Sequence, residues 1–372
     1  MSRRPPVVVL LGGPSAEHDV SIVSGTAVAD ALATEGHPVE QVLIDLDGGW
    51  WWLPDGHRRT ERPASAYDEP AALGAAGPFA LGAALDRLTA ARPAPIVAIA
   101  LHGPFGEDGT VQALLEAAGL AYTGSGVAAS AIGMDKSLFK RLCRGIGLPV
   151  VDWRDVHAEH WAAHPAEVRR ELAAFAAGTA DGRLMIKPAR LGSSVGMTLV
   201  HDMSELDAAL ETALRHDTVV LAETYLAGAR DLEVAIIGNG PAELELYGPG
   251  EIVSGHEFYD YAAKYTVGLS ETSTRAEVSD RQRATIHKIA RDAYRAIGAA
   301  GFARVDFLLA GDTIILSEIN TIPGFTPISL FPTMPAEAGY TFAGVCTRIV
   351  ELAIERHAAR TGGRLTPADL PR

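Results

Sequence analysis

The chain has 372 residues, enough for two or three domains around a large core. Its 32 Lys and Arg against 46 Asp and Glu give a net charge of −14. That argues against a general nucleic-acid binder and against a protein drawn to anionic membranes. An anionic ligand must then be held by local Lys and Arg. Cys143 and Cys346 are the two cysteines, with no CxxC pair. This speaks against disulfides and zinc, and each reads as a small buried apolar residue. The apolar run 7–11 ends at Gly12-Gly13, too short for the core of a signal peptide. No stretch approaches the ~20 apolar residues of a membrane span, and the expected location is the cytoplasm.

Val7 to Leu11 reads as a buried parallel strand. Gly12-Gly-Pro-Ser-Ala-Glu17-His-Asp-Val-Ser21 follows, and a helix starts within it and runs to about Glu35. A strand, a glycine turn and a helix make a place for a ligand at the strand's carboxyl end. The spacing is not GxGxxG, which disfavours a dinucleotide. Glu17 either complements the helix dipole or faces a ligand. Gln41 to Asp45 is a second strand. In residues 47–94, Trp50-Trp51-Trp52 suggests a packing or edge element, 71–91 is partly helical, and no function is readable. Pro95 to Leu101 is a strand ending in His102-Gly-Pro-Phe-Gly-Glu-Asp-Gly109, before a helix at 111–118. This second glycine-rich junction supplies the other half of a crevice. The first 125 residues read as one doubly wound α/β domain.

Tyr122 to Gly126 reads as a hinge, followed by one helix over 128–146 around Asp135-Lys136. A new unit begins near Pro149. Strands at 184–188 and 198–200 flank the polar, glycine-bounded loop Ala189 to Met197. Such a loop suits a lid over phosphates, with backbone N–H groups forming an anion nest. It lacks GK[ST] and a following helix, so it is not a P-loop. Ser204 is the expected cap of a helix through Leu214. Val219 to Leu221 leads into Glu223-Thr-Tyr-Leu226, an edge that can meet an adenine. In the strand 231–237, Asp231 or Glu233 can take a ribose hydroxyl. Residues 257–274 mix aromatic, charged and small residues without a period and read as a loop closing on a site. Ser279-x-x-Gln282 is a capping box for a helix to Gly298. A last amphipathic helix covers 342–359.

The stretch 304–320 reads as a β-hairpin with four polar residues inside apolar runs. Arg304 and Asp306 share one face of their strand, and Glu318 and Asn320 share one face of theirs. A two-residue Gly311-Asp312 loop in regular register would turn Glu318 away from Asp306. We therefore expect an odd loop, 310–312, with Arg304 opposite Glu318, or an equivalent bulge. Two carboxylates, an amide oxygen and a guanidinium then converge. Such hard oxygen donors suit Mg²⁺ bound with phosphates. The Pro- and Gly-rich stretch 321–332 reads as a loop packed over that face.

Taken together and in order, these stretches resemble the D-alanine–D-alanine ligases of the ATP-grasp superfamily. The resemblance rests on Gly12 to Ser21, Leu101 to Gly109, Met134-Asp-Lys136, Lys187 through Gly196, Phe258 to Tyr265, Arg304-Val-Asp306 and Glu318 to Gly324, and spans nearly the whole chain. It implies an α/β fold, α+β in the central and C-terminal parts, with divisions at 1–125, 126–230 and 231–372. It implies that Lys136 and Lys187 hold ATP phosphates under the Ser193-Ser194 loop. Glu223 and Leu226 would meet the adenine, Asp231 the ribose and Lys264 the γ-phosphate. Asp306, Glu318 and Asn320 would bind two Mg²⁺, with Mn²⁺ an alternative. Glu17 would hold the ammonium of the first D-alanine, and His102 belongs with the substrate-binding set. Ser329 and Leu330 would receive the carboxylate of the second D-alanine. Arg304 and the Gly324 N–H would stabilise an oxyanion, and Tyr265 would join Glu17 and Ser193. The implied role is peptidoglycan precursor synthesis by a homodimer. Leu191 stands where many relatives have Glu, and 266–278 lacks the family's Pro-Ala pattern. The competing readings are a D-alanine–D-lactate or D-alanine–D-serine ligase, a biotin-carboxylase-like component and an inactive ATP-grasp binding protein.

Overall fold

Strand β1 (Val7–Gly12) is buried along its whole length, as suits a strand covered on both faces. It lies between β2 (Val39–Ile44) and β5 (Ile96–Ile99), both parallel to it. With β3 (Trp50–Trp52), β4 (Ala76–Phe79) and β6 (Ala121–Tyr122) the sheet order is β4-β3-β2-β1-β5-β6. The chain leaves β1 on one side for β2 and returns on the other for β5. The carboxyl ends of β1 and β5 therefore border one crevice. The stretch 47–94 had no readable period because β3 and β4 extend this sheet antiparallel at its rim. There Trp50 and Trp52 are buried, and Arg87 stacks 4.3 Å from the Trp52 ring. The computed structural model describes residues 4–59, 62–240, 243–254 and 270–362.

The second sheet is antiparallel, in the order β7 (Trp153–His157), β10 (Val219–Thr224), β8 (Leu184–Pro188), β9 (Thr198–Val200). Helices Pro165–Ala177 and Leu206–Leu214 cover it through Val168, Leu172, Leu206 and Leu210. The cap expected at Ser204 is instead Asp202. Its carboxylate accepts from the Ser204 N–H and opens a 3₁₀ turn ahead of the helix. The helix expected over 128–146 is two, Val127–Met134 and Lys136–Gly145. Asp135 breaks it with extended backbone and caps the second helix by accepting from Leu138 N–H at 2.9 Å.

The third sheet runs β13 (Ser270–Ser273), β12 (Glu245–Ser254), β11 (Arg230–Ile237), β14 (Phe302–Ala310), β15 (Thr313–Asn320). Helix Asp280–Ala296 packs on it, and both bonds of the Ser279–Gln282 capping box are present. The loop expected at 257–274 falls mostly outside the described residues. Its end, 270–273, is not loop but strand, because its backbone pairs with β12. Helix Phe342–Gly362 packs against helix His18–Thr34 and β6. Phe302, Phe325, Phe331 and Phe342 interlock at centroid spacings of 5.4 to 5.8 Å and tie the segment after β15 to this core. Cys143 and Cys346 are free and buried. Among the described residues no helix is long and apolar enough to cross a membrane.

Candidate active site

The hairpin puts its polar residues together, by a route other than the odd loop. Ala310 pairs with Thr313, so Gly311-Asp312 is a two-residue turn. The register then shifts: Phe307 faces Leu316, but Asp306 faces Glu318. Ser317 is the additional residue of a β-bulge, and it restores the parity that the short turn would have lost. Arg304 consequently lies opposite Asn320 and not opposite Glu318. On the other side, β11 places Glu233 across from Asp306. One row across three strands thus reads Glu233, Asp306, Glu318.

Cations balance that row. Arg304 donates from Nε and Nη2 to the two oxygens of Asp306, each at 2.7 Å, and its Nε lies 3.2 Å from Glu233. Burial works against the guanidinium, but Asp306 and Glu233 outweigh it and hold the pKa well above the ordinary arginine value. Asn320 donates to Asp306 at 2.9 Å, which leaves its amide oxygen available. Lys136, first residue of its helix, lies 3.3 Å from Glu318 and donates to the Leu191 carbonyl at 2.8 Å. Burial opposes its charge, yet Glu318 more than compensates and raises its pKa.

Behind this row lies a second buried charge cluster. Lys187 on β8 pairs with Glu223 Oε2 at 2.6 Å. Lys140, 1% exposed, lies 3.2 Å from Glu223 Oε1. Burial alone would raise the Glu223 pKa, but Lys140 and Lys187 hold it below the usual carboxylate value. Removing one partner of such a buried pair typically costs about 3–5 kcal/mol. The 3.2 Å approach is a charge contact without hydrogen-bond alignment. Glu223 Oε1 is buried and has no aligned hydrogen-bond donor among the described residues. Glu223 is not on an edge, as expected from sequence, but inside β10 between β7 and β8. Lys140 escaped the sequence reading. The available signal was its position one helical turn after Lys136, which puts both lysines on one face.

The crevice of the first sheet holds Glu17, at the start of helix His18–Thr34. Ser15 Oγ donates to the His102 carbonyl at 2.8 Å, and the His102 N–H donates to Ser21 Oγ at 2.9 Å. These bonds join the two glycine-rich junctions. A Cβ at Gly103 or at Gly192 would stand 2.8 Å from Glu17 Oε2. Only glycine lets both loops approach the carboxylate this closely. Ser193 donates to Glu17 Oε1, and Ser193 and Ser194 both adopt positive φ, 51° and 55°. The loop 189–197 thus touches Glu17 through Ser193 and Lys136 through Leu191.

His102 is buried with both ring nitrogens engaged. Nδ1 lies 3.0 Å from the Ile322 carbonyl and Nε2 lies 2.9 Å from Ser24 Oγ. It bridges the first sheet to the segment after β15. In that segment, Ser329 Oγ meets the Thr326 N–H at 3.1 Å and Thr326 Oγ1 at 2.8 Å. Leu330 begins a short helix, Leu330–Thr333, in what had read as loop. Gly324 lies near Ser329, to whose Oγ a Cβ there would stand at 3.4 Å. Asp231 is the second residue of β11, and Leu226 follows β10. Lys264 and Tyr265 lie outside the described residues.

Comparison with known proteins identifies the family. The family described as D-ala D-ala ligase N-terminus matches residues 6–125, and D-ala D-ala ligase C-terminus matches residues 142–351. The chain belongs to the D-alanine–D-alanine ligase family. It is 37% identical over 386 residues to the D-alanine–D-alanine ligase of Streptomyces griseus, covering 95% of this chain and 94% of that one. The ligase of the same name from Chlorobium chlorochromatii is also 37% identical, with 95% and 98% covered. The D-alanine-D-alanine ligase structure from Coxiella burnetii superposes with a TM-score of 0.79 at 30% identity, covering 96% and 98% of the two chains. VanG D-Ala:D-Ser ligase from Enterococcus faecalis gives 0.78 at 29%, covering 94% and 99%. Mixed α/β architecture of the ATP-grasp kind, expected from sequence, is what this ligase family shares.

Proposed function

We propose that the protein joins two D-alanine molecules into D-alanyl-D-alanine, using ATP, for peptidoglycan precursor synthesis. One observation carries the reading: residues 191–193 touch both halves of the site, Leu191 through Lys136 to Glu318 and Ser193 to Glu17. A loop so placed lies between an ammonium-binding carboxylate and an oxygen-donor face.

In this reading Glu17 takes the ammonium of the first D-alanine. The carboxylate of that D-alanine is a poor electrophile, and transfer of the γ-phosphoryl group from ATP, with ADP leaving, converts it to an acyl phosphate. Lys136, Lys187 and Lys264 neutralise phosphate charge, and N–H groups of the 189–197 loop cover it. Glu223 meets the adenine beside Leu226, and Asp231 a ribose hydroxyl. The donor set Asp306, Glu318 and Asn320 fits Mg²⁺ or Mn²⁺ in its chemistry: hard oxygens, adjacent, with cations already balancing them. When bound there, the ions supply further charge neutralisation during phosphoryl transfer. The second D-alanine, its carboxylate at Ser329 and Leu330, attacks the acyl carbon with its amine. Arg304 and the Gly324 N–H stabilise the resulting tetrahedral oxyanion, whose collapse breaks the acyl C–O bond, releases inorganic phosphate and, with loss of the amine proton, leaves the peptide bond. Tyr265, in a loop that closes over the site, joins Glu17 and Ser193 and excludes water from the acyl phosphate. His102 holds the crevice to the segment carrying Gly324 and Ser329. We further propose units at 1–125, 126–230 and 231–372, a homodimer, and action in the cytoplasm.

The likeness to VanG keeps D-serine as the rival second substrate, with D-lactate beside it. Purified protein is expected to release phosphate from ATP and Mg²⁺ with D-alanine but not with L-alanine. Release with L-alanine alone contradicts the reading.

A further inference from the structure

Lys140 touches none of the groups assigned to substrate or metal apart from Glu223, yet it is among the largest fully buried side chains. A buried ammonium is costly unless its donors find partners. Beyond Glu223, its Nζ donates to the Ser317 carbonyl at 3.3 Å. Ser317 is the residue that the β14–β15 ladder skips. A bulge leaves a residue unpaired, and its backbone groups need partners from elsewhere. Lys140 supplies the donor for the carbonyl. The neighbouring Leu316 N–H donates to the Pro149 carbonyl at 2.8 Å, also outside the hairpin. The bulge is thus secured from outside the hairpin. Without that extra residue, Glu318 and Asn320 would turn to the opposite face of the sheet from Asp306.

We propose that Lys140 is a positioning residue: by holding the Ser317 carbonyl it fixes the bulge and keeps Glu318 and Asn320 on the face of Asp306. The same ammonium braces Glu223, so one side chain sets the metal face and the nucleotide end together. This inference rests on the assignment of Asp306, Glu318 and Asn320 as the metal face.

The test is Mn²⁺ binding in the presence of ADP, read from the electron-spin resonance signal of free Mn²⁺, alongside the melting temperature. Lys140→Met is expected to weaken Mn²⁺ binding roughly 10–100-fold, the range typical when a group supporting metal ligands is lost. A purely structural role would lower the melting temperature and leave binding by the folded protein unchanged. Should Lys140→Met not fold, Lys140→Gln, which keeps an N–H but is shorter and uncharged, faces the same criterion. A loss below about threefold in a folded variant overturns the proposal. Glu318→Gln is the control. If it too leaves Mn²⁺ binding intact, the metal assignment fails; if it weakens binding while the Lys140 variant does not, only the role of Lys140 fails.

Discussion

The Glu17 crevice and the β14–β15 hairpin both position carboxylates, but by opposite means. Glu17 is confined by shape: glycines at 103 and 192 let two loops close to within contact of its oxygens, and Ser193 adds a hydrogen bond. The hairpin carboxylates are confined by charge: Arg304 clasps Asp306, Lys136 meets Glu318, and Lys140 and Lys187 hold Glu223 behind them. The difference fits their proposed ligands. A small ammonium is selected by a tight, preformed carboxylate. Polyanionic phosphates and their metal ions need a field of alternating charge that can rearrange when they arrive.

The comparison breaks most visibly at Arg304. Arg304→Met is expected to lower kcat roughly 10²–10³-fold, as loss of an oxyanion donor does. It also removes the guanidinium beside Asp306 and Glu233. Steady-state kinetics with saturating ATP checks this, and an unchanged kcat removes Arg304 from that role. In the crevice, by contrast, adding atoms should do the damage. Gly192→Ala is expected to raise KM for the first D-alanine about tenfold, well inside the ~10²-fold that a 1 Å displacement can cost. ATP binding should hardly change. Calorimetry of ATP binding and D-alanine kinetics separate the two effects. A Gly192→Ala enzyme with unaltered KM would mean that close packing around Glu17 is not what selects the ammonium.

How much of this was legible in the sequence depends on the range of the interaction. The Ser279–Gln282 capping box was readable because donor and acceptor lie three residues apart. The strand–glycine–helix junctions were readable for the same reason. The meeting of Asp306 and Glu318 was legible as a requirement of parity, since only one face of the hairpin can carry both. A bulge was legible as the alternative to an odd loop, but its place at Ser317 was not. Nothing beside Ser317 marks a bulge, and the ammonium that donates to its carbonyl lies 177 residues earlier in the chain. Asp202 took the cap expected of Ser204 because both residue types cap well and two positions compete. The tryptophan stretch had no readable period because β3 takes its order from pairing with β2 and β4 from pairing with β3.

The identity of the product tests the proposed ligation most directly. Incubation with ATP, Mg²⁺ and an equimolar mixture of D-alanine, D-serine and D-lactate, followed by mass analysis, should yield D-alanyl-D-alanine as the dominant species. A dominant D-alanyl-D-serine or D-alanyl-D-lactate, or ATP turnover with no coupled product, would contradict it.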